Sequence, residues 1–195
     1  MQENNIVIIK YNAGNIRSVD FALRRLGINA EITGDSDRIR AASKVIFPGV
    51  GEASGTMEYL RLRGLDVVIR RLTQPVLGIC LGMQLMCNFS EEGDTECLGI
   101  FDTSVLKFIT GKVPHMGWNA LENTKGPLFR KLGRGSYVYY VHSYYIPENK
   151  YTTASSIYSD RFSGAMQHDN FFATQFHPEK SGSTGEQILK NFISL

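Results

Sequence analysis

Apolar positions in the first half of the chain alternate between short unbroken runs and helically spaced sets. Ile6-Val7-Ile8-Ile9 is a continuous run, the pattern of a strand buried on both faces. Ile16, Val19, Leu23 and Leu26 follow at helical spacing, with Arg17, Asp20, Arg24 and Arg25 on other faces, and Gly27 stands where a helix C-terminal cap belongs. Val45-Ile46-Phe47 predicts a second buried strand, stopped by Pro48-Gly49. Leu60 to Leu72 reads as helical with a break at Gly64, Pro75 to Ile79 as a strand, and Leu81 to Phe89 as a helix. Strand and helix in alternation predict a parallel sheet with helices on both faces.

After about residue 98 the helical period nearly vanishes. Ser104–Phe108, Tyr137–Tyr145, Thr152–Tyr158, Phe162–Gln167 and Phe171–Phe176 all read as strands, with His168-Asp169-Asn170 as a hairpin turn between the last two. Ser183-Thr184-Gly185-Glu186 has capping-box spacing and opens a final helix through Ile188, Leu189, Phe192 and Ile193. No linker, repeat or low-complexity tract interrupts the chain, so residues 1–195 read as a single α/β domain, parallel first and antiparallel later.

Composition narrows the function classes. At 195 residues the chain suits one domain with a sizeable core. A hydrophobic fraction of 43% and a charged fraction of 21% are those of an ordinary globular protein. With 21 basic and 19 acidic residues the net charge is only +2, which gives no push toward nucleic acid or an anionic membrane. Met1 to Asn5 lacks a basic n-region, and no stretch approaches the ~20 apolar residues a bilayer span needs. Cys80, Cys87 and Cys97 are odd in number and include no C-x-x-C pair. That pattern suggests free thiols, no zinc site, and a cytoplasmic protein.

The sharpest chemical feature is Gly78-Ile79-Cys80-Leu81-Gly82, with a strand running in and a helix running out. This is a nucleophile elbow with Cys in place of Ser. Small residues must flank so tight a turn, the helix N-terminus favours thiolate, and the Leu81 N–H is free to hold an oxyanion. A buried structural cysteine is the competing reading, and it is the one taken for Cys87 and Cys97. A cysteine nucleophile needs a base, and the base an orienting group. Phe176-His177-Pro178-Glu179 ends an apolar strand. On extended backbone His177 and Glu179 point to one side, where strand ends carry the sites of parallel sheets. Phe47-Pro48-Gly49-Val50-Gly51 reads as an oxyanion loop with Val50 or Gly51 as donor, or equally as an ordinary glycine-rich turn. No dinucleotide fingerprint or P-loop is present. His115, His142 and His168 lack ligand spacing, so no metal or organic cofactor is expected.

Taken together, Gly78 to Gln84, Phe176-His177-Pro178-Glu179 and Pro48-Gly49-Val50-Gly51 resemble the class I, triad-type glutamine amidotransferases over the whole chain. The resemblance implies a flavodoxin-like α/β fold, with a mostly parallel central sheet flanked by helices and an antiparallel β region in the second half. Tyr11 to Asn15, Lys112 to Asn119, Val141-His142-Ser143-Tyr144 and Lys180-Ser181-Gly182 further resemble the glutaminase subunits of imidazole glycerol phosphate synthases, which serve histidine biosynthesis. By that resemblance Cys80, His177 and Glu179 form the catalytic triad. Val50, Gly51, Leu81, Gln84, Glu92, Ser143 and Tyr144 bind glutamine. Asn12, Asn15, Met116, Trp118, Tyr139 and Lys180 dock a (β/α)8-barrel cyclase subunit, in a heterodimer that carries ammonia from one site to the other. Glu92 suits the substrate ammonium, and Gln84 lies at i+4 from Cys80 on one helix face. Taken alone, Ser90-Glu91-Glu92 reads as a solvated acidic helix end, and Trp118 as a core aromatic. Three alternatives stay open: the glutaminase subunit of anthranilate, aminodeoxychorismate or pyridoxal phosphate synthesis; a stand-alone cysteine hydrolase; and a flavodoxin-like module without catalysis.

Overall fold

A computed structural model describes residues 5–11 and 15–195; Met1–Asn4 and the expected docking residue Asn12 lie outside them. β1 (Ile6–Ile9), α1 (Ile16–Arg25), β2 (Glu31–Thr33), α2 (Ser36–Ala41), β3 (Lys44–Gly49), α3 (Ala53–Leu62), α4 (Leu65–Arg70), β4 (Val76–Cys80) and α5 (Leu81–Leu85) follow in order. Then come β5 (Cys87–Ser90), β6 (Thr95–Glu96), β7 (Phe101–Lys107), β8 (His115–Ala120), β9 (Tyr137–His142), β10 (Tyr144–Tyr145), β11 (Thr152–Tyr158), β12 (Asp160–His168), β13 (Phe171–Thr174) and α6 (Gly182–Ile193).

The main sheet has the order β11-β12-β13-β4-β3-β1-β2. β13, β4, β3, β1 and β2 are parallel, and β11 and β12 extend the sheet as antiparallel strands. The parallel part has the flavodoxin-like order, whose C-terminal strand ends carry the crevice. Alternation sorts its side chains. Ile6, Ile8, Ile46 and Leu77 enter the core shared with α1 and α6, whereas Val7, Ile9, Val45 and Phe47 enter the core shared with α2, α3 and α4. A four-stranded sheet, β10-β7-β5-β6, and the hairpin β8-β9 account for the other strands.

Several boundaries differ from the sequence reading. β3 continues through Pro48 and Gly49. Val45 N–H bonds to Pro75 on the β4 side, so alternation turns the Pro48 nitrogen toward β1. There the pairing has ended at Ile46 with Ile8, and no donor is missed. The helix after Cys80 stops at Leu85, and Cys87–Ser90 is strand β5, paired parallel with β7. Leu81, Met83, Leu85, Met86 and Cys87 are all buried, so no polar face marked where helix gave way to strand. The break at Gly64 is real, with φ 66, but the helix before it begins at Ala53. Glu52 caps α3, accepting from Ser54 N and Gly55 N. β2 and α2 were not anticipated; the side chain of Asp35 caps α2. The final helix starts at Gly182, so Ser183 lies inside it and forms no capping box.

Candidate active site

β4 delivers Cys80 to the C-terminal edge of the sheet, and the chain reverses at once into α5. The turn costs strain: Cys80 has φ 54 and ψ −109, a region that a non-glycine residue occupies only when its surroundings enforce it. Gly82 shows how tight the turn is. A Cβ there would lie 2.0 Å from the Phe47 carbonyl oxygen, so only glycine lets α5 rest on β3. Leu81 is the first residue of α5, and its N–H has no acceptor within the helix. Gly49 pairs with Cys80 across the β3–β4 ladder, which sets Val50 and Gly51 beside the cysteine. Gly51 has φ 142, a conformation open to glycine.

The imidazole comes from the neighbouring strand. β13 runs parallel to β4, and the chain continues past Thr174 to His177 and into a 3-10 turn at Pro178–Lys180. His177 Nδ1 donates to Glu179 Oε1 at 2.7 Å, and both side chains are fully buried. The pair meets through this turn and not along extended backbone, because the strand has already ended at Thr174 and Pro178 opens the turn. Ser181 Oγ, accepting from Tyr139 N and donating to His177 O, ties the turn to β9. His177 Nε2 is buried and has no hydrogen-bond partner among the described residues. Burial pushes the imidazole pKa down. The electrostatic interaction with Cys80, together with the hydrogen bond to Glu179 and the Glu179 charge, outweighs it, and the pKa rises to about 10. The arrangement is a protonated imidazole held by a carboxylate, reached from the strand that pairs with β4, and it can deliver a proton to a group leaving a carbon attached to the Cys80 sulfur.

A cavity of about 290 Å³ opens onto the cysteine. All seven residues expected to bind substrate line it: Val50, Gly51, Leu81, Gln84, Glu92, Ser143 and Tyr144. Cys80, Pro114, Val141 and His142 line it too, whereas His177 and Glu179 do not. Gln84 Nε2 donates to Tyr144 O and to Gln175 Oε1, each at 2.9 Å. Glu92 is half-buried in the turn after β5, not at a helix end, and its Oε2 accepts from Ala53 N at 2.9 Å. Burial raises its pKa.

Sequence reasoning missed Gln175. It is fully buried, and its Nε2 donates to Cys80 Sγ at 3.7 Å. The signal was an amide between Thr174 and Phe176 in an otherwise apolar strand end, where a buried polar group needs partners. The expected docking residues divide. Met116 and Trp118 are 62% and 56% exposed, Lys180 is exposed, and Trp118 packs edge-on against Tyr139 at 6.0 Å. Asn15 instead touches the site, its Nδ2 donating to Glu179 Oε1. Cys87 is fully buried, and burial also pushes the Cys97 thiol up to about 12.

Comparison with known proteins agrees with this geometry. The family model for glutamine amidotransferase class-I matches residues 7–195. The chain is 59% identical over 194 residues to the imidazole glycerol phosphate synthase subunit HisH of Bacteroides fragilis (strain YCH46), covering 97% of this chain and 99% of that one. It is 55% identical over 194 residues to the subunit of the same name in Bacteroides thetaiotaomicron, with the same coverage. A solved glutamine amidotransferase shares the fold with a TM-score of 0.76 at 18% identity, over 96% of this chain and 97% of that one. The chain therefore belongs to the class I glutamine amidotransferases and, among them, to the HisH subunits of imidazole glycerol phosphate synthase.

Proposed function

We propose that the chain hydrolyses glutamine to glutamate and ammonia through Cys80, His177 and Glu179, and passes the ammonia to a (β/α)8-barrel cyclase subunit. The observation that carries this reading is the convergence of one cavity, Cys80 at its wall and a buried His177–Glu179 pair that follows the strand paired with β4. Cys80 Sγ attacks the side-chain amide carbon of glutamine, and the carbonyl electrons move onto oxygen. The N–H of Leu81 and a donor from Val50-Gly51 hold that oxyanion. His177 gives its Nε2 proton to the amide nitrogen as the C–N bond breaks, leaving a γ-glutamyl thioester and ammonia. Neutral His177 then takes a proton from water as the water attacks the thioester. Glutamate departs with a new C–O bond, the sulfur recovers its electron pair, and the imidazole is again protonated. Glu179 keeps the ring oriented and stabilises its charge. Glu92 pairs with the substrate α-ammonium.

Met116, Trp118, Tyr139 and Lys180 are the proposed docking face, and Asn15 links it to the triad. The test is glutamate release with and without the barrel cyclase and its nucleotide substrate. Partner-dependent release that disappears in Cys80→Ala is expected. Release that survives this substitution overturns the mechanism.

A further inference from the structure

Two histidines outside the triad form a buried chain that ends on the wall of the cavity. His115 on β8 and His142 on β9 face each other across the hairpin, and they are only 4% and 6% exposed. His115 Nδ1 and His142 Nε2 are 2.9 Å apart. His142 Nδ1 lies 2.7 Å from the Tyr144 carbonyl oxygen. A carbonyl only accepts, so His142 carries its proton on Nδ1. With Nε2 then bare, the proton between the rings belongs to His115 Nδ1. His115 Nε2 in turn faces Asn119 Nδ2 at 3.4 Å. The direction is therefore fixed along the whole chain: Asn119 to His115 to His142 to Tyr144 O.

The surroundings keep both rings neutral. His115 stacks on Tyr158 at 4.0 Å and on Tyr140 at 5.0 Å, and Phe108 and Phe162 pack on His142. Burial lowers the His115 pKa to about 4. For His142, burial first and then the neighbouring His115 and His177 outweigh the Tyr144 carbonyl and bring it to about 3. The partners of the ring nitrogens are an amide, an imidazole and a carbonyl, and none is a carboxylate. The Tyr144 carbonyl is held from its other side by Gln84 Nε2. His142, Ser143 and Tyr144 all line the cavity.

We propose that His115 and His142 are positioning residues for glutamine, a directed pair of neutral imidazoles that fixes the Tyr144 carbonyl and with it the Ser143-Tyr144 wall. This rests on the reading of the cavity as the glutamine site. His115 sets the tautomer of His142, and His142 sets the wall. The pair exchanges no proton with substrate, so its loss weakens binding and leaves the chemical step largely intact.

The test is glutamine KM and kcat in the complex with the barrel cyclase and its nucleotide substrate. Removing one donor from a buried carbonyl in His142→Phe should raise KM about tenfold with kcat changed less than about threefold. His142→Asn, whose side-chain N–H can reach the same carbonyl, should return KM to within about threefold of wild type. His115→Phe keeps the aromatic stack but not the donor, and should move KM in the same direction. ¹⁵N spectra of histidine-labelled wild type should show both rings neutral and protonated on Nδ1 at pH 7, a reading that needs no variant to fold. Unchanged KM in His142→Phe, equal defects in His142→Phe and His142→Asn, or a His142 proton on Nε2 would overturn the proposal. A wild-type complex that does not hydrolyse glutamine overturns the glutamine reading and the proposal with it. Normal wild-type turnover combined with any of the other three outcomes overturns the proposal alone.

Discussion

At the scale of single residues, the site depends on a ring charged where burial alone would leave it neutral. His177 holds its proton up to about pH 10, above the ordinary 6.5. Between those values the folded chain binds more protons than the unfolded one, so this residue's contribution to stability is complete below about pH 6.5. It is lost as the pH rises through about 10. Urea midpoints of the wild type should therefore fall from pH 7 to pH 10, and the part of that fall due to His177 should be absent in His177→Gln. Replacing Cys80 or His177 with Ala should reduce partner-dependent glutamate release by on the order of 10⁴-fold or more. Glu179→Gln should cost on the order of 10–100-fold less than either, because it orients and does not react. Steady-state glutamate assays of the three variants check the order. Cys80, His177 and Glu179 were readable from sequence because their spacing and flanking residues carry the chemistry. Gln175, Asn15 and the pair His115–His142 were not, because each depends on a contact between residues distant in the chain: Gln175 with Cys80, Asn15 with Glu179, and His115 with His142.

At the scale of elements, the junction of β4 and α5 has the least room. A methyl group on Gly82 would press on the Phe47 carbonyl, and neither backbone segment has slack between two packed cores. Gly82→Ala should destabilise the fold by about 3 kcal/mol or more, read as a lowered denaturant midpoint in the isolated subunit. Sequence periodicity located β1, β4 and β11 well, since buried runs and turn residues bound them on both sides. It overran the helix after Cys80, where Leu81 through Cys87 are all buried. β2 escaped notice because it is a three-residue edge strand with one exposed residue and two half-buried ones, too short for any period to show.

At the scale of the whole molecule, Met116 and Trp118 stand among several exposed apolar side chains, Leu62 and Ile109 included. Met116 and Trp118 alternate on β8 with Trp118 against Tyr139, and Lys180 lies exposed just after Glu179. A large aromatic left exposed this close to a catalytic pair is costly unless something covers it. Trp118→Ala should weaken binding to the barrel cyclase by about 2 kcal/mol, roughly 30-fold in Kd, with the unfolding midpoint of the isolated subunit little changed. Calorimetric titration of the two subunits checks both statements. The α/β class and the change from parallel to antiparallel pairing were legible in the order of runs and helices. The division of the antiparallel part into sheet edge, separate sheet and hairpin was not, because strand pairing over long separations leaves no local mark.

β13 pairs directly with β4, although 90 residues separate the end of one strand from the start of the other. A ribosome therefore releases Cys80 long before it releases His177. Until about the last eighth of the polypeptide emerges and β13 inserts beside β4, the emerging chain holds Cys80 without His177 and an unfinished sheet edge. On the proposed roles of these two residues, a truncated copy that lacks β13 spares the surrounding glutamine, and hydrolytic competence begins only with the final strand.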